Sequence, residues 1–108
     1  MRTLTGESFE AALKESPNLI VNFTADWCPD CRRIKGAYAG FPERFPEVGF
    51  AVVDTEASQD LAERFDVRGI PSLLVFRNGD LVDRLYSRDA KTVKQVEDFV
   101  TKQLPVAP

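Results

Sequence analysis

No histidine occurs anywhere in the 108 residues. That removes the commonest general base, the commonest neutral metal ligand, and every triad, dyad or zinc motif built on an imidazole. Cysteine is scarce too: Cys28 and Cys31 are the only two, too few to close a four-ligand zinc site within one chain. Basic residues are outnumbered, 14 against 17 acidic, for a net charge of -3. Nucleic-acid and anionic-membrane surfaces need the opposite balance, so neither is an expected partner. No apolar run approaches membrane-span length, and Met1 to Glu7 lacks the basic-then-apolar layout of a secretory leader. A cytoplasmic protein is expected. What is present is a globular composition, 44% hydrophobic and 29% charged, without repeats or low-complexity tracts. Its length suits one domain over residues 1–108, with 105–108 as a frayed tail.

The apolar pattern switches repeatedly between helix and strand spacing. Thr5 is read as the N-cap of a short helix carrying Phe9, Ala12 and Leu13. Asn18 to Thr24 is nearly continuous in apolar residues and suits a central strand covered on both faces. Ile34, Tyr38, Phe41 and Phe45 have helical spacing, and Gly40–Pro42 predicts a kink or stop within that run. Phe50–Val53 reads as a strand, Ser58 as the cap of a helix with Leu61, Ala62 and Phe65, and Ser72–Phe76 as a buried strand. Asn78-Gly79 is a strong hairpin signal, with Leu81–Tyr86 as the return strand at a sheet edge. Asp89 is expected to open a last helix with Val93, Val96, Phe99, Val100 and Leu104 on one face. The result is an α/β fold: a central mixed sheet of four to five strands with helices on both faces.

The chemistry candidate is Trp27-Cys28-Pro29-Asp30-Cys31, where a strand ends and a helix begins. Open α/β sheets place their sites outside the C-terminal ends of strands. Cys28 at the helix start meets unpaired N–H groups and the helix dipole, which favour a thiolate. Cys31, one turn in, has less access and less help. Cys28 is therefore the expected nucleophile and Cys31 the resolving thiol of a redox-active pair. Pro29 suits the first helical position. Asp30 has two compatible readings: it complements the dipole, and its charge opposes the Cys28 thiolate. Trp27 lies beyond the apolar strand and reads as a partly exposed wall of the site rather than a core aromatic.

Three ordered segments carry a family resemblance. They are Val21-Asn22-Phe23-Thr24-Ala25-Asp26-Trp27-Cys28, Val67-Arg68-Gly69-Ile70-Pro71-Ser72 and Phe76-Arg77-Asn78-Gly79-Asp80. In order and separation they resemble the thioredoxin pattern, over about Leu4 to Leu104. The resemblance implies the thioredoxin fold and a cis peptide at Ile70–Pro71 facing the cysteines. It also implies pairing of the backbone before Pro71 with an extended substrate segment, so Trp27, Ile70 and Pro71 are candidate substrate-binding residues. The implied activity is disulfide reduction, with protein or small-molecule disulfides as substrates, a thioredoxin reductase as electron donor, no bound cofactor or metal, and a monomeric state.

The sequence departs from the pattern at several positions. Thioredoxins carry Gly-Pro between the cysteines; here Pro29-Asp30 resembles a subgroup with the same Trp-Cys-Pro-Asp-Cys that tends to favour small disulfides. The family's buried aspartate is replaced by Asn22 and its lysine partner by Val52, so both halves of an ion pair are missing together. The helix proline after the motif is Gly36, and Leu85-Tyr86-Ser87-Arg88 stands where a glycine would open the substrate groove. Two other functional classes fit a bare Cys-x-x-Cys: a protein-interaction or holdase module with idle cysteines, and metal or cluster carriage by two chains together.

Overall fold

Alternation along the central strand sets the architecture. A computed structural model describes residues 1–104; the expected tail at 105–108 lies outside them. The elements are β1 (Arg2–Thr3), α1 (Phe9–Glu15), β2 (Asn18–Thr24), α2 (Pro29–Ala39), α3 (Phe41–Arg44), β3 (Gly49–Asp54), α4 (Gln59–Arg64), β4 (Ser72–Arg77), β5 (Asp80–Leu85) and α5 (Val93–Lys102). The sheet has five strands in the order β1-β3-β2-β4-β5. Strands β1, β3 and β2 run parallel, whereas β4 is antiparallel to β2 and to β5. Side chains alternate across a strand, so β2 feeds two cores. Leu19, Val21 and Phe23 pack with Phe9 and Leu13 of α1 and Leu61 of α4. Ile20 packs on the opposite face with Ile34 and Tyr38 of α2, Phe41 of α3, and Val96 and Phe99 of α5. Phe9 and Phe41 are fully buried, and truncating either to alanine should cost about 3–5 kcal/mol.

Strand β2 has the expected bounds, and the helix run after it breaks at Gly40, between α2 and α3. The hairpin forms with positive φ at both Asn78 (52°) and Gly79 (87°), the combination that a two-residue type I′ turn demands. Strand β5 lies at one edge of the sheet, with β1 at the other.

Three local expectations are corrected. The Thr5 carbonyl accepts the N–H groups of Ser8 and Phe9, which makes a turn, and Ser8 holds the N-cap position of α1. Ser58 sits at the N-cap of α4, but its side chain makes no capping bond. Asp89 belongs to a short 3₁₀ turn, Ser87–Asp89, and α5 starts after Thr92. There a capping box closes: Gln95 N–H donates to Thr92 Oγ1 at 3.1 Å and Thr92 N–H donates to Gln95 Oε1 at 3.0 Å. That Thr-x-x-Gln signature satisfies two end-of-helix donors at once, which a lone aspartate cannot do. Strand β1, only two residues long, has too short a pattern to read. No helix among the described residues is long and apolar enough to cross a membrane.

Candidate active site

Strand β2 ends at Thr24 and delivers Trp27-Cys28 to the sheet's C-terminal edge. Cys28 is the N-cap of α2, with extended backbone and Pro29 at the first helical position. Its Sγ accepts the Cys31 N–H at 3.2 Å and donates to the Ile70 carbonyl at 3.7 Å. The Ile70–Pro71 peptide is cis, as the resemblance implied, with Ile70 half-buried and Pro71 buried. Thus a loop forty-two positions away supplies the carbonyl that accepts from the Cys28 sulfur. Trp27, the residue before Cys28, is 61% exposed, which excludes a core role.

The two sulfurs are not bonded to each other. The expected contrast in access is small, with Cys28 5% and Cys31 3% exposed. Their surroundings differ more. Burial pushes the Cys31 thiol up to about 11; the Cys28 side chain adds to this, while hydrogen bonds with Thr24 and the Ala25 backbone oppose it. Cys31 lines a cavity of about 790 Å³ behind the motif, with Asn22, Thr24, Asp26, Lys35 and Asp54. Asn22 is 3% exposed, and its Oδ1 has no hydrogen-bond partner within the protein. Val52 lines the same cavity, so the Asn22/Val52 substitution leaves a roomy, uncharged floor. Above it, the Tyr38 hydroxyl donates to the Ile20 and Ala51 carbonyls at 3.1 and 2.9 Å; burial pushes its pKa up.

Asp30 faces the other way. Arg33 Nη1 donates to its Oδ1 at 2.6 Å and Lys91 Nζ to its Oδ2 at 2.8 Å. The hydrogen bond from Lys91, then that from Arg33, holds the Asp30 carboxyl below the usual carboxylate range. Arg33 also donates to the Lys91 carbonyl at 2.9 Å, which ties the first turn of α2 to the segment before α5. The charge of Asp30 is therefore balanced locally rather than free to act on Cys28. The Arg33 contact was legible as an i,i+3 pair. Lys91, sixty-one positions from Asp30, has no local signal.

Tyr86 and its neighbours, expected to reshape the groove, sit beside Ile70–Pro71. A second groove there is lined by Arg68, Gly69, Ser72, Arg84, Tyr86 and Arg88. A Cβ at Gly69 would collide with the Ser87 side chain, so the two segments touch. Among the described residues no group of three or more His, Cys, Asp or Glu side chains could hold a metal ion.

The thioredoxin family model matches residues 1–102. Protein disulfide-isomerase A4 of Homo sapiens is 32% identical over an alignment that covers 90% of this chain and 18% of that protein. Thioredoxin-1 of Saccharomyces cerevisiae is 30% identical, with 84% of this chain and 88% of that protein covered. The chain thus spans under a fifth of the isomerase's length but most of the yeast protein's. The X-ray structure of Fasciola hepatica thioredoxin superposes with a TM-score of 0.85 at 28% identity, covering 94% of this chain and 98% of that one. The architecture is the thioredoxin fold.

Proposed function

We propose that this chain, which belongs to the thioredoxin family, is a thiol–disulfide oxidoreductase working mainly as a disulfide reductase. The observation that carries the reading is the position of the Cys28 sulfur. It caps a helix, accepts the Cys31 N–H, and faces the Ile70 carbonyl beside an exposed tryptophan. Backbone N–H groups at a helix start stabilise a developing thiolate.

In the first step the Cys28 thiolate attacks one sulfur of a substrate disulfide. The Cys28–sulfur bond forms, the substrate S–S bond breaks, and one thiolate leaves with the electron pair. In the second, Cys31 loses its proton and attacks Cys28. The Cys28–Cys31 bond forms, the mixed disulfide breaks, and the second thiolate leaves. The substrate gains two electrons and two protons, and the dithiol is oxidised. Trp27, Ile70 and Pro71 form the surface against which the substrate lies, with the Ile70 backbone as the pairing edge.

The second step needs a proton acceptor. Asn22 cannot serve, because a carboxamide takes no proton at ordinary pH. Asp30 is engaged by two cations on the far side of the helix. Asp26 shares the rear cavity with Cys31, so we assign the proton to Asp26 through water. Recycling requires an electron donor, and a flavin-dependent thioredoxin reductase is the partner the family implies. A monomer in the cytoplasm, where thiols stay reduced, fits this role. The Pro29-Asp30 dipeptide and the bulk at Tyr86 and Arg88 favour small disulfides over folded proteins.

The test is reduction of a small disulfide by the pre-reduced protein, against Cys28→Ser. Stoichiometric release of two thiols per chain is expected, with none from the variant. Undiminished binding of unfolded proteins by Cys28→Ser, without any thiol release from the parent, would instead establish an interaction module.

A further inference from the structure

We propose that the groove beside Ile70–Pro71 is a carboxylate-binding subsite that selects small disulfides bearing carboxylates near their sulfurs; this rests on the oxidoreductase reading above. The groove encloses about 390 Å³, a volume suited to a small molecule. Gly69 and Ser72, on either side of Ile70–Pro71 in the chain, both line it. Ile70, next to Gly69 in the chain, carries the carbonyl that accepts from Cys28 Sγ. A substituent attached a few bonds from the attacked sulfur reaches it.

The charge lining this groove reverses that of the whole chain. Three guanidiniums, Arg68, Arg84 and Arg88, face one lining carboxylate, Asp66, in a protein of net charge -3. Two of the cations are arranged around one ring: Arg84 and Arg88 lie 5.6 and 4.8 Å from the Tyr86 ring centre. Cation–π contact of this kind orients a guanidinium while leaving its N–H edge free. Arg84 is anchored further, its Nη2 donating to the Phe65 carbonyl at 2.9 Å. Among the described residues Arg84 has no carboxylate partner for its side chain. Arg68 and Arg88 touch Asp66 and Asp89, at 2.9 and 3.7 Å, but these pairs are highly exposed. Exposed pairs of this kind are worth little and exchange readily for a ligand carboxylate. A planar guanidinium fork matches a carboxylate in two parallel hydrogen bonds. Ser87 lies against Gly69, and its chain neighbours Tyr86 and Arg88 line the groove with it.

The chemistry is that of the parent reaction. A dicarboxylate disulfide accepts two electrons from the Cys28/Cys31 pair, its S–S bond breaks, and two carboxylate-bearing thiols leave with the two protons of the dithiol. The carboxylates are held and unchanged. An ammonium at the same place meets like charge and is excluded.

Three disulfides of equal reach but different charge test this: dithiodipropionate (dianion), bis(hydroxyethyl) disulfide (neutral) and cystamine (dication). Pre-reduced protein is mixed with each in single turnover, followed by the fluorescence of Trp27, the sole tryptophan. Each rate is divided by that of thioglycerol, a neutral thiol, with the same disulfide, which removes intrinsic reactivity. The normalised order should be dianion, neutral, dication. The first should exceed the last on the order of tenfold at low salt, with the gap closing in roughly 0.5 M KCl. Arg68→Gln combined with Arg88→Gln should cut the dianion-to-dication ratio roughly threefold or more, and lysine at both positions should restore most of it. Equal normalised rates, a dication-first order, or an unchanged ratio in the glutamine variant would overturn the subsite. Oxidation of the protein by none of the three would instead overturn the oxidoreductase reading, and the subsite with it, a pattern distinct from equal turnover of all three.

Discussion

The two sides of the dithiol are built on opposite electrostatic plans. In front of Cys28 lie the exposed Trp27, the Ile70 carbonyl, and the groove whose charges sit in solvent, with Arg68 paired to Asp66. Behind Cys31 the buried polar group is Asn22, uncharged and with an unsatisfied Oδ1, in a cavity of about 790 Å³ whose charged lining residues, among them Asp26, Lys35 and Asp54, are exposed or half-buried. Charge costs little to keep where water screens it and a great deal where water is excluded. Under the proposal above, charged substrates are held at the front. The rear is left with volume, through which water can carry a proton out.

Removing either sulfur should break the comparison most completely. Cys28→Ser should lower disulfide reduction by at least about a thousandfold, since the nucleophile is gone. Cys31→Ser should leave attack in place and accumulate a mixed disulfide, visible by intact mass as one substrate half per chain. Accumulation in Cys28→Ser instead would exchange the two roles.

Restoring a buried acid tests the rear directly. Asn22→Asp should destabilise the fold by about 2 kcal/mol at pH 8, because Val52 offers no counter-charge. Burial raises the folded-state pKa of such an acid above the unfolded value of about 3.9. The folded state then binds the proton more tightly, so stability is lost as pH rises from the unfolded towards the folded pKa. Chemical denaturation should show a larger penalty at pH 8 than at pH 5. Equal penalties would mean that water hydrates the site as well as it does the unfolded chain.

Asp26→Asn should slow resolution of the mixed disulfide roughly tenfold, at the low end for general base catalysis because cavity water remains. Attack by Cys28 should change less, and stopped-flow separation of the two phases checks this. A variant that slows only the first phase would move the proton acceptor elsewhere. The raised Cys31 thiol has its own signature. Its folded pKa of about 11 lies above the ordinary thiol value of 9.0, so the unfolded chain releases this proton first as pH rises. The reduced protein should lose stability between about pH 9 and pH 11. Cys31→Ala should flatten that part of the denaturation profile relative to the parent.

The smallest effects belong to Asp30 and its cations. With Lys91 and Arg33 already on its oxygens, Asp30→Asn should raise the Cys28/Cys31 potential by only about 10 mV. Lys91→Ala should uncover the aspartate, disfavour the Cys28 thiolate, and lower the potential by a similar amount. Redox titration of both variants against glutathione reads the two signs. A shift of tens of millivolts in Asp30→Asn would mean that its cations do not shield the sulfur.

Much of this molecule is written locally. The bounds of β2, the break at Gly40, the Asn78-Gly79 turn and the placement of Cys28 and Pro29 at a helix start all follow from residue types within a few positions of one another. The end of the chain shows the limit. Asp89 and Thr92 are both good caps, and the choice fell to Thr92 because Gln95 completes its box. That reciprocal bond is legible only when the helix start is tested at both positions.

By itself the sequence determined the chemistry available: a dithiol at a strand-to-helix turn, no imidazole to assist it, and no carboxylate at the central-strand position. Short-range rules carry that information, because periodicity, caps and turns act over one or two helical repeats. Tertiary structure alone decided what surrounds each sulfur. It brought the Ile70 carbonyl to Cys28, Lys91 to Asp30, Asp26 and Asn22 to one cavity with Cys31, and three arginines to the groove beside Pro71. These contacts join residues far apart in the chain, where no local preference acts. They are set by the β2–β4 register and by the packing of α2 against α5. Charge and burial at a site depend on the neighbours that packing delivers, and those neighbours decide which proton moves and which substrate is held.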